Sequence, residues 1–318
     1  MPGNLPAHVT LVGAGVIGRG WIRVFARHGV AVTVHDPDPA QIDRTLDWLE
    51  RDLAADVTAG FVSAEARTKM LGCTRGEADL ARALAVADYV QESAPEKLEV
   101  KRALFADLDR LTPAEAILAS STSALDIGEI ARGLAGERRC VMAHPFNPPH
   151  LLPAVEMLGA AGTDPAALTK ACAILSACGQ IPVRMTRYVK GFLGNRIQAA
   201  VVREALHLLE SGVADAVAID AVIRDALALR WATIGNFGAN HTNADEGITQ
   251  YFGRYEPSFA TLMNDLDSAP PRFDPSLLRA VGLAVEAREG VTGVDALIRR
   301  RDVMLTELRQ LKHRHDQG

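Results

Sequence analysis

The sequence predicts an α/β protein: a doubly wound, mostly parallel sheet under helices, followed by a second, all-helical domain. Three observations carry this. Short apolar or β-branched runs alternate with helical stretches through about residue 187, as strands covered by helices on both faces do. The first such run ends in a glycine-rich turn that opens a helix. Beyond Arg187 strand signals largely vanish and apolar residues recur at helical spacing. The expected domains are therefore 1–187 and 188–318.

The elements follow in order. His8 to Gly13 reads as a buried strand, Val16 to His28 as a helix with Ile17, Trp21, Val24 and Phe25 on one face, and Val30 to Asp36 as a second strand. Residues 38 to 69 read as polar helix, broken at Gly60. Asp88 to Glu92, Ala116 to Ala119 and Cys140 to Ala143 are further short strands. Ala154 to Leu158 and Ile181 to Val183 add edge strands, with a helix from Pro165 to Cys178 between them. In the second domain Ile197, Val201, Ala205 and Leu208 form one helical stripe, Ile219 and Ile223 begin another, and Leu297 to Leu311 carries a last one. Ser268 to Pro275 is a Pro-rich loop.

Composition narrows the function. Thirty-four Lys and Arg against 39 Asp and Glu give a formal net charge of −5, which argues against a phosphate-gripping nucleic-acid binder. Aromatics at 5% are too few for a base-stacking surface. The four cysteines show neither CxxC pairs nor His/Cys ligand spacing, so buried reduced thiols and no metal site are expected. The stretch Val9 to Ile17 holds two glycines and follows no basic region, so it does not read as a signal peptide. No run of apolar residues is long enough to span a bilayer. A cytoplasmic protein is expected.

Gly13-Ala-Gly15-Val16-Ile17-Gly18 stands between the first strand and its helix. The first glycine allows the tight turn, the second lets a pyrophosphate approach the backbone, and the third lets helix and strand pack closely. The pyrophosphate then meets free N–H groups at the helix N-terminus. Asp36 closes the second strand 18 residues after Gly18. An acid there accepts hydrogen bonds from ribose hydroxyls and repels a 2′-phosphate, which points to NAD as the cofactor. The competing reading of Asp36 is a turn residue before Pro37.

His144 follows a predicted strand, so it stands at a carboxyl end, where open α/β sheets place ligands. Glu156 lies 12 residues on, inside the apolar run Ala154-Val155-Glu156-Met157. A buried glutamate is costly unless paired, and His144 is the economical partner. A carboxylate on one ring nitrogen fixes the tautomer and leaves the other free as a base. The residues alone leave open a core histidine and a structural carboxylate.

These motifs come with Glu92-Ser-Ala-Pro-Glu96-x-x-x-x-Lys101, Ala119-Ser-Ser121-Thr-Ser123, His144-Pro-Phe-Asn147-Pro and Gly191-Phe-Leu-Gly-Asn195-Arg196. From Thr10 to Gly212 the chain thereby resembles the 3-hydroxyacyl-CoA dehydrogenase superfamily. The resemblance implies a Rossmann-like first domain and NAD-dependent oxidation of a secondary alcohol. It implies that His144 is the general base, that Glu156 orients it, and that Ser123 and Asn195 hold the substrate oxygen and the histidine. Val16, Ile17, Glu96, Lys101 and Ser121 fall on the cofactor side, with Glu96 and Lys101 lining the nicotinamide, and Asn147 on the substrate side. Gly194 departs from the family, which has a bulkier residue before the asparagine.

The second domain carries Leu229-Arg230-Trp231-Ala232 where the acyl-CoA enzymes have a Pro-Met-Gly-Pro turn, and His241-Thr-Asn243-Ala-Asp-Glu246-Gly247 and Tyr251-Phe-Gly-Arg254-Tyr255 follow. This resembles the lambda-crystallin branch, which includes L-gulonate 3-dehydrogenase, and is also similar to bacterial L-carnitine dehydrogenases. Both act on small free 3-hydroxy acids. A guanidinium at Arg230 suits a free carboxylate, which a thioester lacks; the competing reading is a salt bridge. Trp231 is its neighbour on the substrate side. Residues 38 to 67 hold seven acids and three arginines, a poor field for the phosphates of CoA, which this region helps to hold in the acyl-CoA enzymes. Carnitine would need aromatic faces for its trimethylammonium; Trp231, Phe146, Phe237 and Tyr251 are the candidates. The leading expectation is oxidation of a free, gulonate-like L-3-hydroxy acid. The rivals are an acyl-CoA or carnitine substrate, or a crystallin-like binding protein without turnover. The long apolar stripes of the second domain predict a homodimer.

Overall fold

The computed structural model describes residues 5–266, 273–290 and 292–316. Among the described residues there are eight strands: β1 (His8–Val12), β2 (Ala31–His35), β3 (Thr74–Gly76), β4 (Tyr89–Glu92), β5 (Ile117–Ser120), β6 (Cys140–Pro145), β7 (Ala154–Gly159) and β8 (Ile181–Arg184). They form one sheet in the order β3-β2-β1-β4-β5-β6-β7-β8. All neighbours are parallel except β6 and β7. The helices of this part are α1 (Val16–Ala26), α2 (Pro39–Thr58), α3 (Ala64–Gly72), α4 (Leu80–Leu84), α5 (Leu98–Leu111), α6 (Ile127–Ala131) and α7 (Pro165–Ala177).

Both faces of the sheet are buried, so successive strand residues feed different cores. Val9, Leu11, Tyr89, Ile117, Ala119, Val141 and Ala143 join Trp21 and Phe25 of α1 in one core. Val90, Leu118, Cys140 and Met142 join Phe105 and Leu108 of α5 in the other. Reversal of strand order at β1 leaves a crevice beyond the carboxyl ends of β1 and β4, where such sheets bind ligands. The antiparallel β7 brings its first residues to that same edge. The expected strands are all present; β3, at three residues, is an addition too short to show periodicity. The break at Gly60 is real, with φ at +75° between α2 and α3.

The chain packs as two compact units. One reaches Asn195 and takes up the chain again from Asp302; the other is Arg196–Arg301. The second consists of helices: most of α8 (Gly194–Glu210), then α9 (Ala216–Val222), α10 (Leu229–His241), α11 (Ile248–Asp265), α12 (Pro275–Glu289) and the first turns of α13 (Val294–Asp316). A π-helical turn, Ile223–Ala228, joins α9 to α10, and Gly235, at φ +74°, kinks α10. Of the expected Pro-rich loop, residues 268–272 lie outside the described residues, and Pro275 opens α12. Among the described residues no helix is long and apolar enough to cross a membrane, and no three His, Cys, Asp or Glu side chains gather to hold a metal. All four cysteines are free.

Candidate active site

The nucleotide loop follows β1. Gly13 takes φ +102°, and a Cβ there would lie 2.7 Å from the Ser93 carbonyl oxygen. A Cβ on Gly18 would meet the Gly13 carbonyl oxygen at 2.0 Å, whereas one on Gly15 would meet nothing within 4 Å. Gly13 and Gly18 are thus small because the chain fills the space, and Gly15 because its open side must stay open. Gly15 caps α1 without a side-chain hydrogen bond, and no acid stands in the first turn, leaving the amides from Val16, Ile17 and Gly18 to an anion. Asp36 ends β2 beside this loop and accepts from Ala14 N at 2.9 Å and Asp38 N at 3.1 Å. These residues fit a dinucleotide: glycine backbone for the pyrophosphate and the Asp36 carboxylate for the ribose.

A pocket of about 300 Å³ adjoins the loop. Ile17, Ser93, Ala94, Glu96, Lys101, Ser121, Ser123, His144 and Pro145 line it. His144 stands on β6 directly opposite Glu156 on β7, and its Nδ1 lies 2.7 Å from Glu156 Oε2. The other carboxylate oxygen accepts from Leu193 N at 2.7 Å and Gly194 N at 2.8 Å. The turn that aims these amides has two residues of positive φ, Gly191 at 80° and Phe192 at 49°. Phe192 tolerates this uncommon backbone because its ring is fully buried against His144, centroids 5.4 Å apart. Phe146 flanks the imidazole at 5.5 Å. At Gly194 a Cβ would strike the Phe146 ring at 2.3 Å, so the small residue lets that ring lie against the turn.

Burial alone would raise the Glu156 carboxyl. The hydrogen bonds from His144 and the two amides outweigh it and hold the group below the usual carboxylate range. Glu96 is also held low: against its burial stand the Thr122 hydroxyl, Lys101 and the Ser123 and Ala124 amides. A depressed carboxyl stabilises the fold above its unfolded value of 4.5, and that stability is lost as pH falls through the folded value. Urea unfolding followed below about pH 5 therefore gives a steeper loss for the native protein than for Glu156→Gln. Parallel curves would contradict the assignment.

The other expected residues divide. Ser123 and Asn195 meet, Asn195 Nδ2 donating to the Ser123 carbonyl at 3.1 Å. Glu96 Oε1 accepts from Ser123 N at 2.8 Å and Ala124 N at 2.9 Å. Ser121, on the pocket wall, accepts at Oγ from Gln91 Nε2 at 2.7 Å and Trp21 Nε1 at 3.1 Å, which tie it to the buried network of the sheet. Asn147 is exposed on the loop after β6, outside the pocket lining. Arg230 and Trp231 belong to the second unit, just past the π-helical turn. Arg230 is exposed, and among the described residues its guanidinium forms no ion pair. Sequence reasoning gave no role to Glu92, at the end of β4, or Thr122, whose Oγ1 donates to Glu96 at 2.5 Å. The signal for Glu92 was present: a glutamate in a buried strand, the same feature that singled out Glu156.

Comparison with known proteins agrees with this geometry. The sequence matches the 3-hydroxyacyl-CoA dehydrogenase NAD binding domain over residues 8–188 and the C-terminal domain of the same family over residues 191–290. It is 36% identical over 316 residues to a lambda-crystallin homolog of Bos taurus, covering 98% of each chain. It is 36% identical over 303 residues to the L-carnitine dehydrogenase of Streptomyces griseus, covering 92% of this chain and 86% of that protein. The fold matches the solved structure of 5-formyl-3-hydroxy-2-methylpyridine 4-carboxylic acid 5-dehydrogenase with a TM-score of 0.79 at 25% identity, covering 96% of this chain and 98% of that one. The chain belongs to the 3-hydroxyacyl-CoA dehydrogenase family and is an NAD-dependent oxidoreductase.

Proposed function

We propose that this enzyme oxidises the 3-hydroxyl of a small free L-3-hydroxy acid, gulonate-like, to the 3-keto acid. The observation that carries the chemistry is the His144–Glu156 pair on the pocket wall. With Glu156 ionised, the proton of a neutral imidazole sits on Nδ1 and Nε2 keeps its lone pair. That nitrogen takes the hydroxyl proton, and Glu156 steadies the imidazolium. Ser123 and Asn195 supply donors to the oxygen as it becomes carbonyl. NAD, held by Gly13, Gly15, Gly18 and Asp36, supplies the two-electron acceptor when bound.

The substrate reading rests on charge. Asp43, Asp47, Glu50 and Glu65 are exposed on α2 and α3, an unwelcoming field for CoA phosphates. Arg230, exposed and without an ion pair among the described residues, suits a carboxylate. Two of the similar proteins are named for substrates that are free acids, carnitine and a pyridine carboxylic acid. A second reading, L-carnitine, is favoured by the aromatic cluster on α11, where Tyr251 lies 5.1 Å from Tyr255 and 6.0 Å from Phe259, centroid to centroid.

NADH formation with L-gulonate, L-carnitine, L-3-hydroxybutyrate and L-3-hydroxybutyryl-CoA, run side by side, tests this. Gulonate turnover is expected; turnover of carnitine alone selects the second reading, and of the thioester alone refutes both. Arg230→Met is expected to raise KM for the acid about tenfold or more with KM for NAD unchanged. An unchanged acid KM removes Arg230 from the site. We also propose a two-fold dimer through the helical unit, which exposes Val222, Ile234, Phe237, Leu262, Leu278 and Leu283. Light scattering should give twice 34.1 kDa; a monomeric mass refutes it.

A further inference from the structure

We propose that Ser93 is a cofactor-binding residue: its hydroxyl donates a hydrogen bond to an acceptor oxygen of the bound dinucleotide, and Gln91 and Trp21 set that direction through Ser121. Gln91 is wholly buried on β4. Its side-chain nitrogen lies 3.2 Å from the Ala143 carbonyl oxygen, which can only accept. The amide is therefore turned so that Nε2 gives one hydrogen to Ala143 and the other to Ser121 Oγ, at 2.7 Å. Oε1 faces Tyr89, whose hydroxyl donates to it at 2.8 Å. Trp21 Nε1, which can only donate, reaches the same Ser121 Oγ at 3.1 Å.

A serine oxygen has two lone pairs and one hydrogen. Gln91 and Trp21 take both lone pairs of Ser121, so its hydrogen goes to Ser93 Oγ, 3.0 Å away. Ser93 is thus the acceptor in that bond, and its own hydrogen is left for another partner. Among the described residues the Ser93 hydroxyl has no second partner, and the side chain stands on the pocket wall. The neighbouring backbone shows which ligand meets it. Ser93 N donates to the Val12 carbonyl at 2.7 Å, and a Cβ on Gly13 would lie 2.7 Å from the Ser93 carbonyl oxygen. Ser93 is fastened where β1 ends and the glycine loop begins, whereas neither His144 nor Ser123 hydrogen-bonds to it among the described residues. The two donors on Ser121 keep the Ser93 hydrogen from turning inward, so the donor is set before the ligand arrives. This inference depends on NAD binding and not on which acid is oxidised.

Fluorescence titration of NADH, with no acid present, tests it. Ser93→Ala is expected to weaken NADH binding about three- to tenfold, the contribution of one neutral hydrogen bond. With the acid of the panel that turns over fastest, kcat at saturating NAD and KM for the acid should both stay within about threefold of native. Trp21→Phe frees one lone pair of Ser121, so the Ser93 hydrogen can turn inward, and NADH binding should weaken about two- to threefold. On the Ser93→Ala background the same change should alter NADH affinity no further, because Trp21 acts only through Ser93. Native NADH affinity in Ser93→Ala overturns the proposal. So does a rise in KM for the acid with NADH affinity unchanged, which would give the hydroxyl to the substrate. Equal losses from Trp21→Phe with and without the Ser93 hydroxyl would overturn the directional link, leaving Trp21 to act by its bulk.

Discussion

His144→Ala is expected to lower kcat by about 10²- to 10⁴-fold while the protein still binds NADH. The range follows from what one positioned base contributes to proton removal, and this base is positioned from three sides. The β6–β7 register puts Glu156 directly opposite, its carboxylate meets Nδ1 at 2.7 Å, and Phe146 and Phe192 flank the ring. None of these contacts involves the glycine loop, so fluorescence titration of NADH should give an affinity within about threefold of native. Glu156→Gln is expected to slow the reaction as well, because an amide can offer Nδ1 a donor and turn the tautomer. As the two residues act as one unit, the double variant should be little slower than His144→Ala alone. Additive losses would show that they act separately. Turnover unchanged by His144→Ala would remove the base from the mechanism.

The cofactor loop was legible because each glycine answers a separate steric demand that local spacing records. Glu156 was legible for an energetic reason: an acid inside an apolar strand must find a partner, and only an antiparallel β7 could bring it to His144. The same reasoning applies to Glu92 in Tyr89-Val90-Gln91-Glu92, but its partner sits on α5 nine residues on, a pairing no strand periodicity displays. The amides of Leu193 and Gly194 were invisible because backbone donors carry no residue signature. The small residue at 194 made sense only once the Phe146 ring lay against it. The π-helical turn before Arg230 interrupts a helix without any glycine or proline, so composition could not mark it.

Lys101→Met alone is expected to destabilise the cofactor unit by about 3–5 kcal/mol, the usual result of stripping one partner from a buried ion pair. The side chain is close to isosteric, so the loss is electrostatic rather than a cavity. Glu92 is left wholly buried with its cation gone, and the hydrogen bonds from Ala94 N and Ser120 Oγ do not replace a charge. For a unit of this size that loss corresponds to a fall in Tm of roughly 6–20 °C by calorimetry. Adding Glu92→Gln to the same chain should restore most of it, because two neutral groups of similar shape need no countercharge. Recovery of Tm without recovery of kcat would separate what the pair does for the fold from what it does in the pocket that Lys101 lines. A single variant as stable as the native protein would mean that the Glu92–Lys101 contact at 2.6 Å carries little net energy.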